Sequence, residues 1–495
     1  MLKSWLLFFG VIIISTNAKA NDFTFTPELI KAYNNTFRGK FNKSYIALNK
    51  KENAANGAAF YFLGYNNFLK TVFSENPQLD KNLIDSHEVL IDNIEDLQNH
   101  AFKKYAIAEL YMQQSMIELR MGNYVSGMLG LRKSYSLVEK NLNKYPDFQL
   151  SKKTLYVLQA LLSNVPDQYK SWVELFGYKT DQYIALSELD QLQKALKLNN
   201  DYGFFRHEIE IYRGVLMHKL TDKYDDAYSI IKAQTTDFKE NPVSCFIRGK
   251  IALDSKKTGE AIEILKHFGG AKCPFPYINY DLANAYLYSL NKQCVTYFAY
   301  FIKQNKSEGL LNDSYLRIAR WAHVKGNNDL KTKWLAFINP NTKSNRERDK
   351  LALNEAKKLE KVHPKLLEAW LTFDGGYYEY SIDILTDNKN NILYSKDGFN
   401  TIRYYYLLAR LHQDMNNYNK AVTYFESVIQ LEFNNTEYFI PLSCYNTALI
   451  YENKLFKKTL AIEYYKKCTS YKNYPYASSY KYKSELAIER LKKQE

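Results

Sequence analysis

The side chains that most often do chemistry are present, but none stands in a catalytic pattern. The eight histidines occur outside any H-E-x-x-H spacing, and the sequence contains no G-x-S-x-G, phosphate-loop or dinucleotide glycine pattern. Adjacent acids such as Asp225 and Asp226 would point to different faces of a helix, so they do not form an acid–base pair. The sequence therefore predicts a protein without a catalytic residue, a cofactor or a metal site.

Cysteine chemistry is the next possibility, because the sequence contains Cys245, Cys273, Cys294, Cys444 and Cys468. They show no C-x-x-C or Cys/His metal spacing, which argues against a zinc or redox site. Cys444 and Cys468 lie almost symmetrically about the turn near Leu455 of a predicted helical hairpin, so they are candidates for a disulfide. The alternative is that the cysteines are buried free thiols.

Length and composition indicate the elements that carry these side chains. A chain of 495 residues with 46% hydrophobic composition is too long for one ordinary core, which predicts several domains or a solenoid. The chain contains only 19 glycines and 11 prolines, the residues that favour turns, so few turns are available for a sheet-rich fold. The predicted fold class is all-α.

The first twenty residues have the pattern of a secretory signal peptide. Lys3 precedes an apolar stretch over residues 5–14, and small residues flank the predicted cleavage between Ala20 and Asn21. The apolar stretch is shorter than the roughly 20 residues that cross a bilayer, although an uncleaved anchor is the alternative. We expect an exported protein, periplasmic or secreted, with no transmembrane segment in the mature chain.

The charge of the chain is strongly positive. The formal charge of +14 becomes +12 without residues 1–20, because these contain two lysines and no acid. Such an excess favours anionic partners. The basic residues are nevertheless scattered among 53 acids, a pattern typical of a solvated surface, and no nucleic-acid partner is predicted.

A period of 34 residues divides the middle of the sequence into repeating units. Small residues recur at this interval in pairs separated by twelve positions: Val215 with Ala227, Gly249 with Ala261, and Ala283 with Val295. Pro242 and Pro276 have the same spacing. Small residues on two facing helices let their backbones approach closely. The period therefore predicts an α-α superhelical solenoid of helical hairpins.

Residues 404–430 resemble a tetratricopeptide repeat position by position. Leu408 and Ala409 lie on the predicted first helix, Asn416 and Asn417 make the turn, and Ala421 lies on the second helix. The resemblance implies a solenoid of tetratricopeptide-like hairpins.

Residues 437–488 resemble the C-terminal portion of a narrower group, the eukaryotic tetratricopeptide family that includes the fungal inclusion-body clearance protein. The matching features are an acidic-aromatic-apolar-proline entry, a helical hairpin, a Y-K-N-Y stop and a closing helix. Upstream, residues 161–191 and 366–377 resemble that family in the same order. The resemblance implies an all-helical interaction scaffold without known catalysis. The eukaryotic members are intracellular, whereas this chain begins with an export pattern.

In tetratricopeptide arrays the first helix of each unit borders a concave groove. The fifth residue of five units, counted from the proline or its equivalent, is aromatic: Tyr212, Phe246, Tyr280, Tyr406 and Tyr445. Polar side chains near this ladder are Lys250, Asn284, Arg403 and Arg410. The ladder is the candidate site for a protein or peptide partner. If the register is shifted by one residue, the aromatics instead pack between helices.

The sequence divides into five predicted parts. They are a signal peptide (1–20), divergent helical repeats (21–200), tetratricopeptide-like repeats (205–340), a helical connector (341–395), and C-terminal repeats with a capping helix (396–495). The predicted function is an exported, non-catalytic interaction scaffold. The alternative is a protein that binds carbohydrate or another envelope polymer, because aromatic faces stack on sugars and the chain has 43 tyrosines.

Overall fold

The computed structural model describes residues 23–74, 76–163, 181–198, 201–221, 223–394, 398–431, 438–474 and 477–493. Every regular element in these ranges is a helix, so the all-α prediction is confirmed. In this part of the chain no helix is long and apolar enough to cross a membrane. The predicted signal peptide and its cleavage site lie outside the described residues.

Eight helices form the N-terminal half: α1 (Pro27–Phe37), α2 (Phe41–Leu48), α3 (Gly57–Phe73), α4 (Pro77–Glu95), α5 (Ala101–Met121), α6 (Tyr124–Lys144), α7 (Gln149–Leu162) and α8 (Gln182–Leu196). They pair as consecutive hairpins. The side chains of Thr26, Asn76 and Asp181 accept hydrogen bonds from first-turn backbone amides of α1, α4 and α8. These caps satisfy amide groups that have no partner within the helix.

Eight further helices carry the 34-residue period: α9 (Arg206–Leu220), α10 (Tyr224–Gln234), α11 (Pro242–Asp254), α12 (Thr258–Leu265), α13 (Pro276–Tyr288), α14 (Gln293–Gln304), α15 (Leu311–Val324) and α16 (Asn328–Leu335). Pro242 and Pro276 occupy first-turn positions, where a missing amide hydrogen has no helical partner to lose. A Cβ atom on Gly249 would lie 2.4 Å from the Leu265 side chain, so the small residue permits the close approach of α11 and α12.

Nine helices complete the array: α17 (Glu347–Ala356), α18 (Pro364–Asp374), α19 (Tyr378–Asp387), α20 (Lys389–Leu393), α21 (Phe399–Asp414), α22 (Tyr418–Gln430), α23 (Phe439–Asn453), α24 (Lys458–Ser470) and α25 (Ala477–Lys493). Hairpins join α18 to α19, α21 to α22 and α23 to α24. The turn between α21 and α22 contains Asn416 at a φ of 62°, a left-handed conformation that asparagine tolerates. The helix α17 packs against α15, and α25 packs against α24.

The hydrophobic core runs along the array as successive clusters between neighbouring hairpins. Each hairpin therefore buries its apolar face against the next one rather than against a single centre. This arrangement is the predicted solenoid of helical hairpins, and it places the first helix of each hairpin on a common inner face.

Candidate functional site

The inner face of the later hairpins carries side chains spaced four residues apart along the first helices. Four residues return a side chain to nearly the same face of a helix. The three clearest rows are Phe246–Lys250–Asp254 on α11, Tyr280–Asn284–Tyr288 on α13 and Tyr406–Arg410–Asp414 on α21. The first member of each row belongs to the predicted aromatic ladder, and the second is one of the polar residues predicted beside it.

Three of the predicted aromatic residues pack against their own hairpins or their neighbours. Tyr280 and Tyr406 are each only 2% exposed, and the Tyr280 hydroxyl donates a hydrogen bond of 2.5 Å to Asp313. Tyr445 meets Tyr480 of α25 with ring centres 5.0 Å apart. Side chains buried this deeply present almost no area to a partner, so Tyr280 and Tyr406 act as packing residues in this structure.

The other two predicted aromatic residues are covered by the N-terminal helix α3. The Tyr65 hydroxyl donates to the Tyr212 hydroxyl at 3.4 Å, and the Phe73 ring meets Phe246 at 5.6 Å between centres. The sequence allowed two interpretations of the ladder, partner binding and packing between helices. These contacts agree with packing between helices. Partner binding by the five rings themselves stays a prediction.

The predicted polar residues of α11 and α13 lie one helical turn beyond the aromatic rings. Lys250 forms a close ion pair with Asp254. Asn284 is buried; its amide nitrogen donates to the Tyr280 carbonyl oxygen at 2.9 Å, while its Oδ1 atom has no hydrogen-bond partner among the described residues. A buried acceptor without a partner is uncommon and costs free energy of folding. The inner face therefore contains, at Asn284, a buried hydrogen-bond acceptor without a partner among the described residues.

The two predicted arginines of α21 both lie over aromatic rings. The Arg403 guanidinium carbon is 3.5 Å from the centre of the Phe399 ring, and its Nη1 donates to the Phe399 carbonyl oxygen at 2.8 Å. The guanidinium carbon of Arg410 is 5.7 Å from the Phe373 ring centre. Such cation–π contacts hold the aliphatic parts of both arginines against the inner face.

Two cavities open on the inner face beyond these buried rings. One has a volume of about 640 Å³ and lies between α9, α11, α13, α15 and α17; we call it the charged compartment. The other has a volume of about 540 Å³ and lies between α15, α17, α18, α21 and α23; we call it the apolar compartment. Four residues line both: Arg320, Leu351, Glu355 and Asp374. The compartments are therefore two parts of one groove.

The apolar compartment is lined mainly by large hydrophobic side chains. Trp370 and Leu371 of α18 form one wall, and Phe439 of α23 forms another. Leu351 of α17 lies on the boundary with the charged compartment, is partly exposed, and belongs to none of the packed hydrophobic clusters of the described residues. Apolar surface of this kind gains free energy when a partner removes it from water.

Asp254 is the best-satisfied carboxylate of the charged compartment. The Nε2 atom of His218 lies 2.9 Å from it, and the Nζ atom of Lys219 lies 3.8 Å away. Burial alone would raise the pKa of Asp254, but the hydrogen bond from His218 and the charges of Lys250 and Lys219 outweigh it and lower that pKa. Asp254 is therefore a fixed negative charge that holds His218 and Lys250 in place.

Two further acids of the groove are paired with arginines of α15. The Nε atom of Arg317 donates to Asp313 at 2.5 Å, and Arg320 forms a close ion pair with Glu355. The second pair joins α15 to α17 at the boundary between the compartments. Both acids therefore have their charge balanced within the groove.

Burial raises the pKa of two other acids on this face. The pKa of Asp281 rises to about 6, because burial and the charge of Asp254 outweigh the attraction of Lys250 and Arg348. The pKa of Asp374 is also raised by burial, although Lys256 and the groove arginines oppose the shift. A carboxyl group with a raised pKa carries less negative charge than an ordinary one. Asp374 lines both compartments and Asp281 lines neither, so only the shift at Asp374 makes the lining of the groove more positive.

A contact between distant turns bounds one side of the groove. Lys256, in the turn between α11 and α12, pairs with Asp414 at 2.7 Å, and Thr258 donates to the Gly375 carbonyl oxygen at 2.8 Å. Gly376 has a φ of +81°, and a Cβ atom there would lie 2.2 Å from the Lys256 carbonyl oxygen. Glycine is required at this position by both its backbone conformation and the close approach.

The corresponding inner face of the N-terminal helices is closed. At its centre the Lys153 side chain is fully buried and donates to Glu109 at 3.0 Å, to Glu208 at 2.5 Å and to the Tyr105 hydroxyl at 2.9 Å. Tyr33 of α1 donates to the other oxygen of Glu208 on α9, which joins the first helix to the ninth. We call these residues the Lys153 cluster.

The protonation states of the Lys153 cluster follow from its burial. Burial opposes a charge on Lys153, but Glu109 and Glu208 outweigh it and raise the lysine pKa above its usual value. Burial raises the pKa of Glu208, which shares its single lysine with Glu109. The surrounding rings exclude water, with Phe62 and Phe205 fully buried next to the cluster. At the Lys153 cluster the inner face is therefore filled by buried side chains.

The candidate disulfide residues lie in the C-terminal core. Cys444 and Cys468 are both fully buried in one hydrophobic cluster with Ala448 and Tyr465, and both are free thiols in the structure. Burial raises the pKa of Cys444 to about 12. A thiol with so high a pKa forms little thiolate and reacts slowly. The sequence allowed either a disulfide between these residues or buried free thiols, and the structure has them as buried free thiols.

The groove residues that the sequence did not single out belong to two groups. The first comprises Asp254 and Tyr288, which line the charged compartment, and Asp414, which pairs with the lining residue Lys256. Each follows a residue of the predicted site by one more helical turn, so the four-residue spacing contains a signal for them. The second comprises residues of α15, α17 and α18, such as Arg320, Leu351 and Trp370. The helices α17 and α18 lie outside the 34-residue period, and α15 belongs to its last and least regular unit, so no clear repeat pattern marks this part of the inner face.

Comparison with known proteins agrees with this architecture over one hairpin. Residues 402–435 match the tetratricopeptide-repeat family model, and this range covers most of α21 and α22. The repeat predicted over residues 404–430 is therefore confirmed. Fold and match together define the class of this protein as an all-α solenoid of helical hairpins with a tetratricopeptide repeat.

Two further comparisons add little to this description. No curated protein matches the sequence. Among solved structures, the crystal structure of the APC/C hetero-tetramer Cut9-Hcn1 matches at 12% sequence identity and a TM-score of 0.23, over 94% of this chain and 89% of that chain. A TM-score of this size carries no argument about individual residues.

Proposed function

We propose that this protein is an exported, non-catalytic scaffold that binds a segment of a partner protein in its groove. The observation that carries the proposal is the pair of joined compartments on the inner face, which together extend from α9 to α23. An extended groove with apolar walls and charged groups suits a polypeptide segment, whose side chains alternate in chemistry along their length. Solenoids present concave surfaces of this kind to their partners.

The proposed location outside the cytoplasm rests on the first twenty residues. They combine a basic start, a short apolar stretch and small residues before Asn21. The resemblance of residues 437–488 to the fungal inclusion-body clearance family supports a scaffold role, and we propose a shared architecture rather than a shared cellular role. N-terminal sequencing of the protein from fractionated cells tests the location. A mature protein that begins at Asn21 supports export, and a retained Met1 in the cytoplasm contradicts it.

Site-specific photo-cross-linking tests groove binding in the cells that make the protein. A photoreactive amino acid at Leu351, on the boundary of the two compartments, is compared with the same amino acid at Lys303, which is exposed on the second helix of its hairpin. We expect a discrete cross-linked protein band from position 351 and none from position 303. Equal cross-linking at both positions would contradict groove binding. A cross-linked polysaccharide smear specific to position 351 would favour the envelope-polymer alternative.

A further inference from the structure

We propose that the partner segment is acidic and carries large apolar side chains, with the acids in the charged compartment and the apolar side chains in the apolar compartment. This inference rests on the proposed function, because it names the chemistry of the segment that enters the same groove. Three observations carry it: the surplus of cations, the availability of particular cations, and the shape of the boundary between the compartments.

The surplus of cations is larger in the groove than in the whole chain. Eight lysine and arginine side chains line the two compartments together, against the four carboxylates of Asp254, Asp313, Glu355 and Asp374. Five of the eight line the charged compartment, and the other three, Lys357, Lys358 and Arg403, line only the apolar compartment. The whole chain has 67 basic and 53 acidic residues, so the ratio in the groove is well above the average. Charges of one sign in a concave surface reinforce one another and attract ligands of the opposite sign. The groove therefore selects an anionic partner.

Two cations at the mouth of the groove are available to such a partner. Arg348 is exposed; its only hydrogen bond within the described residues is to the Tyr280 hydroxyl, at 3.1 Å, and no carboxylate pairs with it there. Lys219 is exposed and reaches Asp254 only at 3.8 Å, while that acid is already held by His218. Guanidinium groups bind carboxylates through two parallel hydrogen bonds, so Arg348 suits an aspartate or glutamate side chain.

The boundary between the compartments gives the segment a direction. The Arg320–Glu355 ion pair crosses the groove between α15 and α17, with Leu351 one turn before Glu355 on α17. On one side of this boundary lies Arg348, and on the other lies Trp370. A segment that spans the boundary places its acids and its apolar side chains in separate, adjacent positions.

The apolar compartment also distinguishes a polypeptide from other polyanions. Leu351, Leu367, Leu371 and Phe439 offer no hydrogen-bonding groups from their side chains. A phosphate or sulfated sugar placed there would pair with the lysines and arginines that line the same compartment, but it would leave these apolar side chains exposed to water. A leucine or phenylalanine side chain would instead bury apolar surface favourably. An acidic peptide with apolar residues satisfies both compartments, whereas a uniformly charged polymer satisfies only one.

Selection from a random peptide library displayed on phage tests this chemistry with the full chain as the target. The chain is compared with Arg348→Glu, which reverses the charge at the mouth, and with Leu351→Ser, which removes the shared apolar side chain. Lys357→Glu is a second charge reversal at the exposed rim of the apolar compartment, and Lys303→Glu on the outer surface is the matched control. Helical circular dichroism spectra show that each variant is folded.

We expect the selected peptides to contain acids and large apolar residues. Their affinity should fall about tenfold or more with Arg348→Glu and with Leu351→Ser, and should be unchanged with Lys303→Glu. A charge exchange sharpens the test: replacing the critical acid of a selected peptide by lysine should weaken its binding to the original chain and restore its binding to Arg348→Glu.

The remaining outcomes separate the two proposals. Selected peptides that are basic or purely polar, but still depend on Leu351 or Arg348, would overturn the partner chemistry and leave groove binding intact. A library in which no binder responds to any groove variant would overturn both. Heparin serves as the probe for a uniform polyanion; if it binds through Arg348 while no peptide does, the occupant is a charged polymer and the inference is overturned.

Discussion

The inner face of this solenoid is closed in its N-terminal half and open in its later hairpins. In the closed half, Tyr33 of α1 reaches Glu208 of α9, and the buried Lys153 balances the acids between them. In the open part, Arg348, Leu351 and Glu355 of α17 line a groove. The comparison teaches that the same position in a hairpin either closes the fold or lines an open groove, depending on whether a distant helix covers it.

The difference has an identifiable structural source. The helix α3 brings large aromatic side chains across to Tyr212 of α9 and Phe246 of α11, and these fill the inner face there. The last turns of α9 and α11 extend beyond this contact and line the charged compartment. Farther along, α17 packs against α15 without its own hairpin partner and lines both compartments. The inner face is therefore open where the single helix α17 is inserted into the array. It is closed where helices from distant hairpins pack against each other.

The largest expected effect comes from removing the lysine of the closed half. Lys153→Met leaves Glu109 and Glu208 buried without their cation, so we expect the free energy of unfolding to fall by about 3–5 kcal/mol in urea denaturation at neutral pH. The matched variant on the open face is Lys250→Met. Its partner Asp254 is also held by His218, so we expect a loss of about 1 kcal/mol or less. Equal losses would remove the energetic distinction between the two faces.

The next effect is a pH dependence that arises on the open face. Asp281 has a pKa of about 6 in the folded protein against 3.8 in the absence of burial, so the folded state retains a proton that the unfolded chain has released. Its contribution to stability is therefore present below about pH 4 and is lost as the pH rises through 6. Between these limits the original chain should lose up to about 3 kcal/mol more than Asp281→Asn. Parallel pH profiles of unfolding free energy for the two proteins would contradict this.

A smaller loss is expected at the contact that bounds the groove. Gly376→Ala introduces a Cβ atom 2.2 Å from the Lys256 carbonyl oxygen at a positive φ, so we expect a loss of roughly 2 kcal/mol. Gly326→Ala is the control, because Gly326 also has a positive φ of +68° but no atom within 4 Å of an added Cβ. It should lose only the backbone term, about 1 kcal/mol. If thermal unfolding shows the same loss for both, the contact at Gly376 contributes nothing.

The sequence predicts much of the fold, but it predicts only part of the difference between the closed and the open inner face. The 34-residue period and the prolines at 242 and 276 locate the hairpins, because each unit repeats the same local packing. The Lys153 cluster has no such local signal, since its partners lie 44 and 55 residues from Lys153 along the chain.

The ladder of aromatic residues points to the inner face, but it does not locate the groove on that face. Tyr280 and Tyr406 are buried, and exposed groove residues such as Arg348 come from a helix outside the repeat. Which turn of a first helix stays open depends on how distant hairpins overlap. Local periodicity does not encode that overlap.

The smallest expected effect is on stability at Arg348, and it distinguishes a binding residue from a structural one. Arg348→Ala removes an exposed side chain whose only hydrogen bond within the described residues is to the Tyr280 hydroxyl. Tyr280 keeps its other hydrogen bond, to Asp313, so we expect the free energy of unfolding to change by less than about 0.5 kcal/mol. Urea denaturation measures this change. A loss above about 1 kcal/mol would mean that Arg348 holds α17 against α13, and the open inner face would then be structural in the same sense as the closed one.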